Sequence, residues 1–329
     1  MKQLLCTKKL SIFLGVGLAL LFVRSGYPQQ EDVAKYPTRP ITLIIPLLAG
    51  APGDIAARLI AKDAERILGQ PIVPANKPGG GTSIGVAAIA KAKPDGYTIG
   101  YGAHSGVFIA PLLEKLPYHP LKDLKPIMQF GNSLFSVAVR TDSPLKSFKD
   151  LISYARQNPK KLTYASTGTT SMQYFAINQA FKREKVEVTH IPFKGSPEGH
   201  ASLLGGHIDF IVDTIVYPLV EAGNERTLLI LNDQHTEEFP NIPILKDLGY
   251  DIPTPMILSI MGPRGIPDGI IKKLEDVFTK AMKEPGFIKG MKENLRFPIL
   301  YRNSKDLGEY VTRGFETYEK ILTEMGLVK

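Results

Sequence analysis

The chain of 329 residues contains no tryptophan and a single cysteine, Cys6. One thiol cannot close a disulfide within the chain, and it cannot build a Cys-based zinc site. Cys6 also sits in a segment unlike the rest. Lys2, Lys8 and Lys9 are followed by Leu10 to Val23, 14 residues without a charge. That run falls short of the ~20 apolar residues that span a bilayer. A basic start and a short apolar run read as a secretory signal peptide over residues 1–26, which makes the expected location periplasmic. Phe22-Val23-Arg24-Ser25 is a poor small-x-small cleavage site, so an uncleaved anchor stays open. Removal of the segment leaves no thiol, and cysteine catalysis is then excluded.

Charge of one sign is also scarce. The balance of +8 comes from 40 basic and 32 acidic residues, and residues 1–26 hold four of the basic ones and no acid. The remainder, 36 against 32, is +4, with Lys160-Lys161 and Lys272-Lys273 as pairs rather than a stripe. Nucleic-acid binding is not expected from such scatter. The six histidines, His104, His119, His190, His200, His207 and His235, form no H-E-x-x-H, and the closest pair is seven apart. Neither a metal nor a cofactor is expected. His200 and His207 read as solvated helix-end residues. Tyr310, Thr317 and Tyr318 read as a helix face packed on the core.

What is present is a globular composition, 43% apolar and 22% charged, long enough for two domains. Short apolar runs alternate with helical patterns, the βαβ signature of mostly parallel sheets flanked by helices. Strands are predicted at 42–46, 98–101, 135–140, 162–165, 188–191, 208–213, 227–231 and 257–261. Helices are predicted at 54–68, 84–92, 148–157, 171–183, 199–204, 270–282 and 305–325. Proline-rich breaks at 117–126, 239–243 and 251–255 suit two α/β lobes joined by two crossings. Residues 36–127 with 232–329 would form one lobe and 128–231 the other.

Several predicted strands run into a small-residue loop and then a helix start. Ligands of open α/β sheets bind at such strand ends, where helix N-termini offer free N–H groups. The first such loop is Leu47-Leu48-Ala49-Gly50-Ala51-Pro52-Gly53-Asp54, whose small residues let backbone amides approach an anion. Asp54 reads first as the N-cap of its helix, and second as a contact for an amine, hydroxyl or water. The second is Ser166-Thr167-Gly168-Thr169-Thr170-Ser171, with five hydroxyls around one glycine; it is either a capped helix start or a carboxylate niche. One niche in each lobe points to a cleft that closes on its ligand. His104 and Ser105 follow a strand but lack the G-x-S-x-G elbow, since Ala103 takes the first glycine's place. Asp213 and Thr214 end a strand that points into the same cleft. Lys77-Pro78-Gly79-Gly80-Gly81-Thr82-Ser83 lacks the G-K-[ST] ending of a phosphate loop. Leu47, Phe108 and Met172 are candidates for an apolar distal wall.

An ordered set of short motifs resembles the Bug-type, TctC-like receptors, the extracytoplasmic substrate-binding proteins of tripartite tricarboxylate transporters. It comprises Tyr36-Pro37-Thr38-Arg39-Pro40-Ile41, Ile45-Pro46 with Ala49-Gly50 and Asp54, Leu68-Gly69-Gln70-Pro71-Ile72-Val73 and Asn76-Lys77-Pro78-Gly79. It continues with Ala92-Lys93-Pro94-Asp95-Gly96-Tyr97-Thr98, Leu116-Pro117-Tyr118, Pro192-Phe193-Lys194-Gly195, Leu203-Leu204-Gly205-Gly206 and the Gly262-Pro263 region. The resemblance implies a two-lobed periplasmic-binding fold of the Venus-flytrap kind with two crossover strands. It implies a small carboxylate ligand, a separate membrane permease as partner, a monomer, and no catalysis. The family's carboxylate-holding loops match Leu47–Asp54 and Ser166–Ser171, its strand-end acid matches Asp213, and Gly195 belongs to a shared motif. Leu47 replaces a common aromatic, Met172-Gln173 a common His pair and Thr214 a common Asn, so the identity of the carboxylate does not carry over. Two other readings stand beside the receptor: a secreted serine hydrolase using Ser105 with His104, and a sensor docking on a sensor kinase.

Overall fold

The computed structural model describes residues 33–232, 235–254 and 256–328; the expected signal peptide, 1–26, lies outside the described residues. In chain order the strands are β1 (Ile41–Ile45), β2 (Ile72–Asn76), β3 (Thr98–Tyr101), β4 (Leu124–Gly131) and β5 (Phe135–Arg140). They continue as β6 (Thr163–Ser166), β7 (Thr189–Pro192), β8 (Phe210–Thr214), β9 (Glu225–Ile230) and β10 (Leu258–Pro263). They form two five-stranded sheets, ordered β2-β1-β3-β10-β4 and β7-β6-β8-β5-β9.

Each sheet is mixed, with most of its strands in one direction, as expected. Four strands of each sheet point the same way, and the fifth lies antiparallel to both its neighbours: β10 between β3 and β4, and β5 between β8 and β9. These two strands are the first to follow each crossing between the sheets, so each enters its sheet from the opposite end. The expected crossing after residue 127 falls inside β4, which stays paired with β10 as far as Gly131. β2 and β4 lie outside the predicted strands. Both are edge strands carrying a proline, Pro74 and Pro126, which a central strand would not accept.

The helices follow from their apolar spacing and their starts. Pro52–Leu68 begins with Pro52, whose missing N–H is no loss in the first turn, and ends on Gly69 at φ 72°. Ala56, Ala57, Ile60, Ala61 and Ala64 share its buried face. Small residues there bring it against Asp268–Ala281, which buries Ile270, Leu274 and Phe278. The last helix, Ser304–Glu324, lies on β4 and buries Leu307, Val311, Phe315, Tyr318 and Leu322. After β3 the chain makes a π-helical turn at Ser105–Ile109 and then a short α turn at Ala110–Leu113, neither of which the sequence pattern foretold.

One glycine fixes how close a helix lies to the first sheet. A Cβ on Gly85, in the Ser83–Ala90 helix, would sit 2.7 Å from both the Pro46 Cα and the Lys77 carbonyl oxygen. Backbone atoms on both sides leave little room to yield. Gly85→Ala is expected to destabilise the protein by about 1–3 kcal/mol, as overpacking does. A urea midpoint equal to wild type would show that the helix lies farther out.

Candidate functional site

A cavity of about 220 Å3 lies between the two sheets. The first sheet lines it with the loops after β1, β2 and β3, and the second with the segments after β6 and β7 and the end of β8. Ser133 and Phe135 reach it from the crossing into β5. The start of β5 lies beside these ends because β5 runs antiparallel to β8.

The loop after β1 is shaped by Asp54, which is buried at 1% exposure and does not line the cavity. Its carboxylate accepts the Gly50 N–H at 3.0 Å, the Asn76 side-chain amide at 2.8 Å and the Arg58 Nε at 3.0 Å. Asn76 also donates to the Leu47 carbonyl at 2.9 Å. Asp54 therefore lies outside the lining and is not the N-cap; Ala51 holds that position, and Asp54 braces the loop from the first turn. Ala49 and Gly50 are exposed at the loop tip, away from the cavity, while Leu47 and Ala51 line it.

The loop after β2 carries Gly79, Gly80 and Gly81 at φ 119°, 56° and 55°, followed by Thr82 at φ 76°. Such a run of left-handed residues needs glycine, and it delivers Gly79 through Thr82 to the cavity wall. In the sequence this segment stands out only as an incomplete phosphate loop. A glycine run followed by a helix start was the signal that could have found it.

Three of the five hydroxyls at the end of β6 and in the loop after it have partners within the fold. Ser171 is the N-cap of Met172–Glu184, accepting the Tyr174 N–H and donating to the Gly168 carbonyl at 2.7 Å. Ser166 pairs with His190 Nε2 at 2.8 Å. Thr169 is exposed, and Thr170 packs against Gly81. Of the five hydroxyl residues only Thr167 lines the cavity, its Oγ1 accepting from Gln173 Nε2 at 2.7 Å. Phe108 and Met172 are core residues and form no part of the wall.

Gly195, Asp213 and Thr214 do line the cavity, as do Phe193, Lys194 and Ser196, which the residue-level reading did not single out. Asp213 is 3% exposed, and burial pushes its carboxyl above the usual carboxylate range. It accepts the Thr214 N–H at 2.7 Å and the Gln173 amide at 3.3 Å. Behind it lies His200, which is buried and not solvated as its sequence position suggested. His200 Nδ1 meets Glu225 Oε1 at 2.7 Å, and although burial opposes its protonation, the Glu225 carboxylate holds its affinity for a proton above the ordinary value.

His104 and Ser105 both reach the cavity. The His104 ring meets Phe135 edge-on at 4.7 Å between centroids. Burial lowers its pKa from 6.5 to about 4, so it is neutral at pH 7. In the unfolded chain the ring takes its proton near 6.5, so this group costs nothing above that pH and destabilises the fold progressively as pH falls to about 4. The full loss is about 3 kcal/mol. His190, also lowered to about 4 by burial, acts in the same direction. Urea unfolding at pH 7 and pH 4.5 is expected to show a smaller acid loss in His104→Asn than in wild type. An equal loss in both proteins would place the ring in contact with water.

Residues 56–327 match the family model described as the tripartite tricarboxylate transporter family receptor. A Cupriavidus necator relative, described as a UPF0065 protein in the gbd 5' region, is 34% identical over 306 residues, covering 93% of each chain. The solved structure of the periplasmic binding protein BugD overlays at TM-score 0.82 and 27% identity, covering 89% of this chain and 100% of that one. MatC from Rhodopseudomonas palustris, solved with bound malate, overlays at TM-score 0.80 and 26% identity, covering 87% and 100%. The fold is thus the two-lobed α/β fold of periplasmic binding proteins, as the motifs implied. This chain belongs to the family of tripartite tricarboxylate transporter receptors.

Proposed function

We propose that this protein is a periplasmic receptor that binds a small carboxylate in the cavity between its lobes and hands it to the permease subunits of a tripartite transporter. It acts as a monomer, is exported by residues 1–26, and catalyses no reaction. Its lobes are 36–131 with the chain after 231, and 135–230. The observation that carries this reading is the convergence of four helix starts on one cavity. The helices Pro52–Leu68, Ser83–Ala90, Met172–Glu184 and Ser196–Leu204 each bring residues of their first turn or N-cap to its wall. Each N-terminus carries a partial positive charge, which favours an anion. Lys194 is the one basic side chain of Lys or Arg type in the lining, and it is exposed, so the site draws on backbone rather than on a buried cation.

The contacts we assign are Leu47, Ala51, His104, Ser105, Thr167, Gly195, Asp213 and Thr214, joined by the Gly79–Thr82 run, Gln173 and Ser196. A ligand group that faces Asp213 has to bring a hydrogen or be separated from it by a water, because two carboxylates in direct contact repel. MatC, with its bound malate, supports a carboxylate as the solute. The hydrolase reading finds no support in the geometry, since Ser105 Oγ is taken by the Met172 N–H at 3.1 Å.

The test is a thermal-shift screen of refolded, ligand-stripped protein against malate, succinate, adipate, citrate, aspartate and benzoate. Without tryptophan, an external dye or circular dichroism supplies the signal. A solute at 100 times its dissociation constant should add about 2.7 kcal/mol, a rise of several degrees. Stabilisation confined to acids of one scaffold is expected. A flat response to every acid would overturn the carboxylate assignment.

A further inference from the structure

Ser105 lines the cavity, yet its hydroxyl is already committed. The bond it accepts from the Met172 N–H is buried and joins the loops of two different sheets. Ser105 opens the π turn that follows β3, and Met172 opens the helix that follows β6. The Met172 amide is one of the first-turn donors that a helix cannot satisfy internally. Its own N-cap cannot serve it, because Ser171 Oγ is occupied by the Tyr174 N–H and the Gly168 carbonyl. The acceptor therefore comes from across the cleft.

Ser105 is held in place to do this. The neighbouring Gly106 donates its N–H to Thr82 Oγ1 at 2.8 Å, and the Tyr118 hydroxyl donates to the Gly106 carbonyl at 2.6 Å. The same seam is tight on both sides. A Cβ on Gly81 would lie 2.6 Å from Thr170 Oγ1, and one on Gly195 would lie 2.8 Å from Leu48 Cδ1. Each pair joins the first sheet's loops to the second's, so backbone meets side chain across the cleft with nothing between.

We infer that Ser105 is a closure latch: by capping the Met172 helix from the opposite lobe, its hydroxyl makes the closed arrangement a populated state of the free protein. The purpose of such a latch, closure over a solute, rests on the receptor reading; its geometry does not. Opening the cleft hands the Met172 N–H to water, whereas the closed lobes leave it no acceptor but Ser105. Removing the hydroxyl therefore penalises only the closed state and shifts the population toward the open one. A buried donor left without a partner lowers that ratio by roughly 5- to 150-fold.

Cys6 is the sole cysteine, so with Cys6→Ser the lobes can be labelled at chosen points. Lys62→Cys and Lys182→Cys place nitroxides on exposed sites of the two lobes, for pulsed EPR distances in solute-free protein. A short-distance component is expected, and Ser105→Ala should reduce its ratio to the long one within the stated range. Met172→Pro removes the N–H at the first helical position, where proline is tolerated, and Ser171 before it is already extended at ψ 150°. It should lower the same ratio, and adding Ser105→Ala to it should change nothing further. Circular dichroism checks that each variant is folded; Ser105→Ala decides alone if Met172→Pro is not. The latch is overturned if the free protein shows no short component, if Ser105→Ala leaves it intact, or if the two effects add. Saturating malate tests the receptor reading separately: growth of the short component supports malate as a solute, and no response counts against malate while the solute-free comparison still decides the latch.

Discussion

The cavity depends on a carboxylate that never reaches it. Asp54 gathers the Gly50 N–H, the Asn76 amide and the Arg58 guanidinium within the first turn of its helix. Asn76 in turn fastens the Leu47 carbonyl, so the end of β2 and the loop after β1 move as one piece. A buried acid without these partners would carry a heavy desolvation cost. With them it converts a chain of small residues, which alone would be loose, into a fixed wall beside a helix start. Leu47 and Ala51 can face the cavity because Asp54 does not.

On the other side the same economy holds with hydroxyls instead of a carboxylate. Ser166, Ser171 and Thr167 are engaged by His190, Gly168 and Gln173, so the loop after β6 is stiffened by its own side chains. Three buried side-chain atoms of the lining, His104 Nδ1, Ser133 Oγ and Gln173 Oε1, have no hydrogen-bond partner among the described residues. Asp213 breaks this pattern. It is an acid in the wall, backed by the His200–Glu225 pair, and burial raises its affinity for a proton.

Much of this was legible in the sequence. Strand–loop–helix order, the short apolar runs and the small-residue loops placed β1, β3, β5, β6 and β8 and led to the cavity's location. Of the expected contacts that lie outside the cavity lining, Asp54, Ser166 and Ser171 have the right chemistry for a ligand and share it with partners inside the fold: Gly50, His190 and Gly168. Residue type reports what a side chain can bond, not which partner reaches it first. Ser133 and Phe135 had no local signal at all, because they arrive at the cavity through the crossing between sheets. β2 and β4 escaped notice because an edge strand tolerates the prolines that argue against a strand anywhere else. His200 was misplaced because its partner, Glu225, lies on a distant strand.

The interleaved strand order also sets a sequence of events for the newly made chain. Residues 135–230 hold all five strands of the second sheet, so its pairings close over comparatively short intervals. The first sheet has a vacancy between β3 and β4 until Leu258–Pro263 returns to fill it. Loop closure grows costlier with length, and non-local pairing slows assembly. The wall bearing Thr167 and Asp213 can therefore mature while the other half is still a partial sheet, and the helix at Ser304–Glu324 is the last piece to cover it. The polypeptide acquires its inserted half before it completes the half that surrounds it.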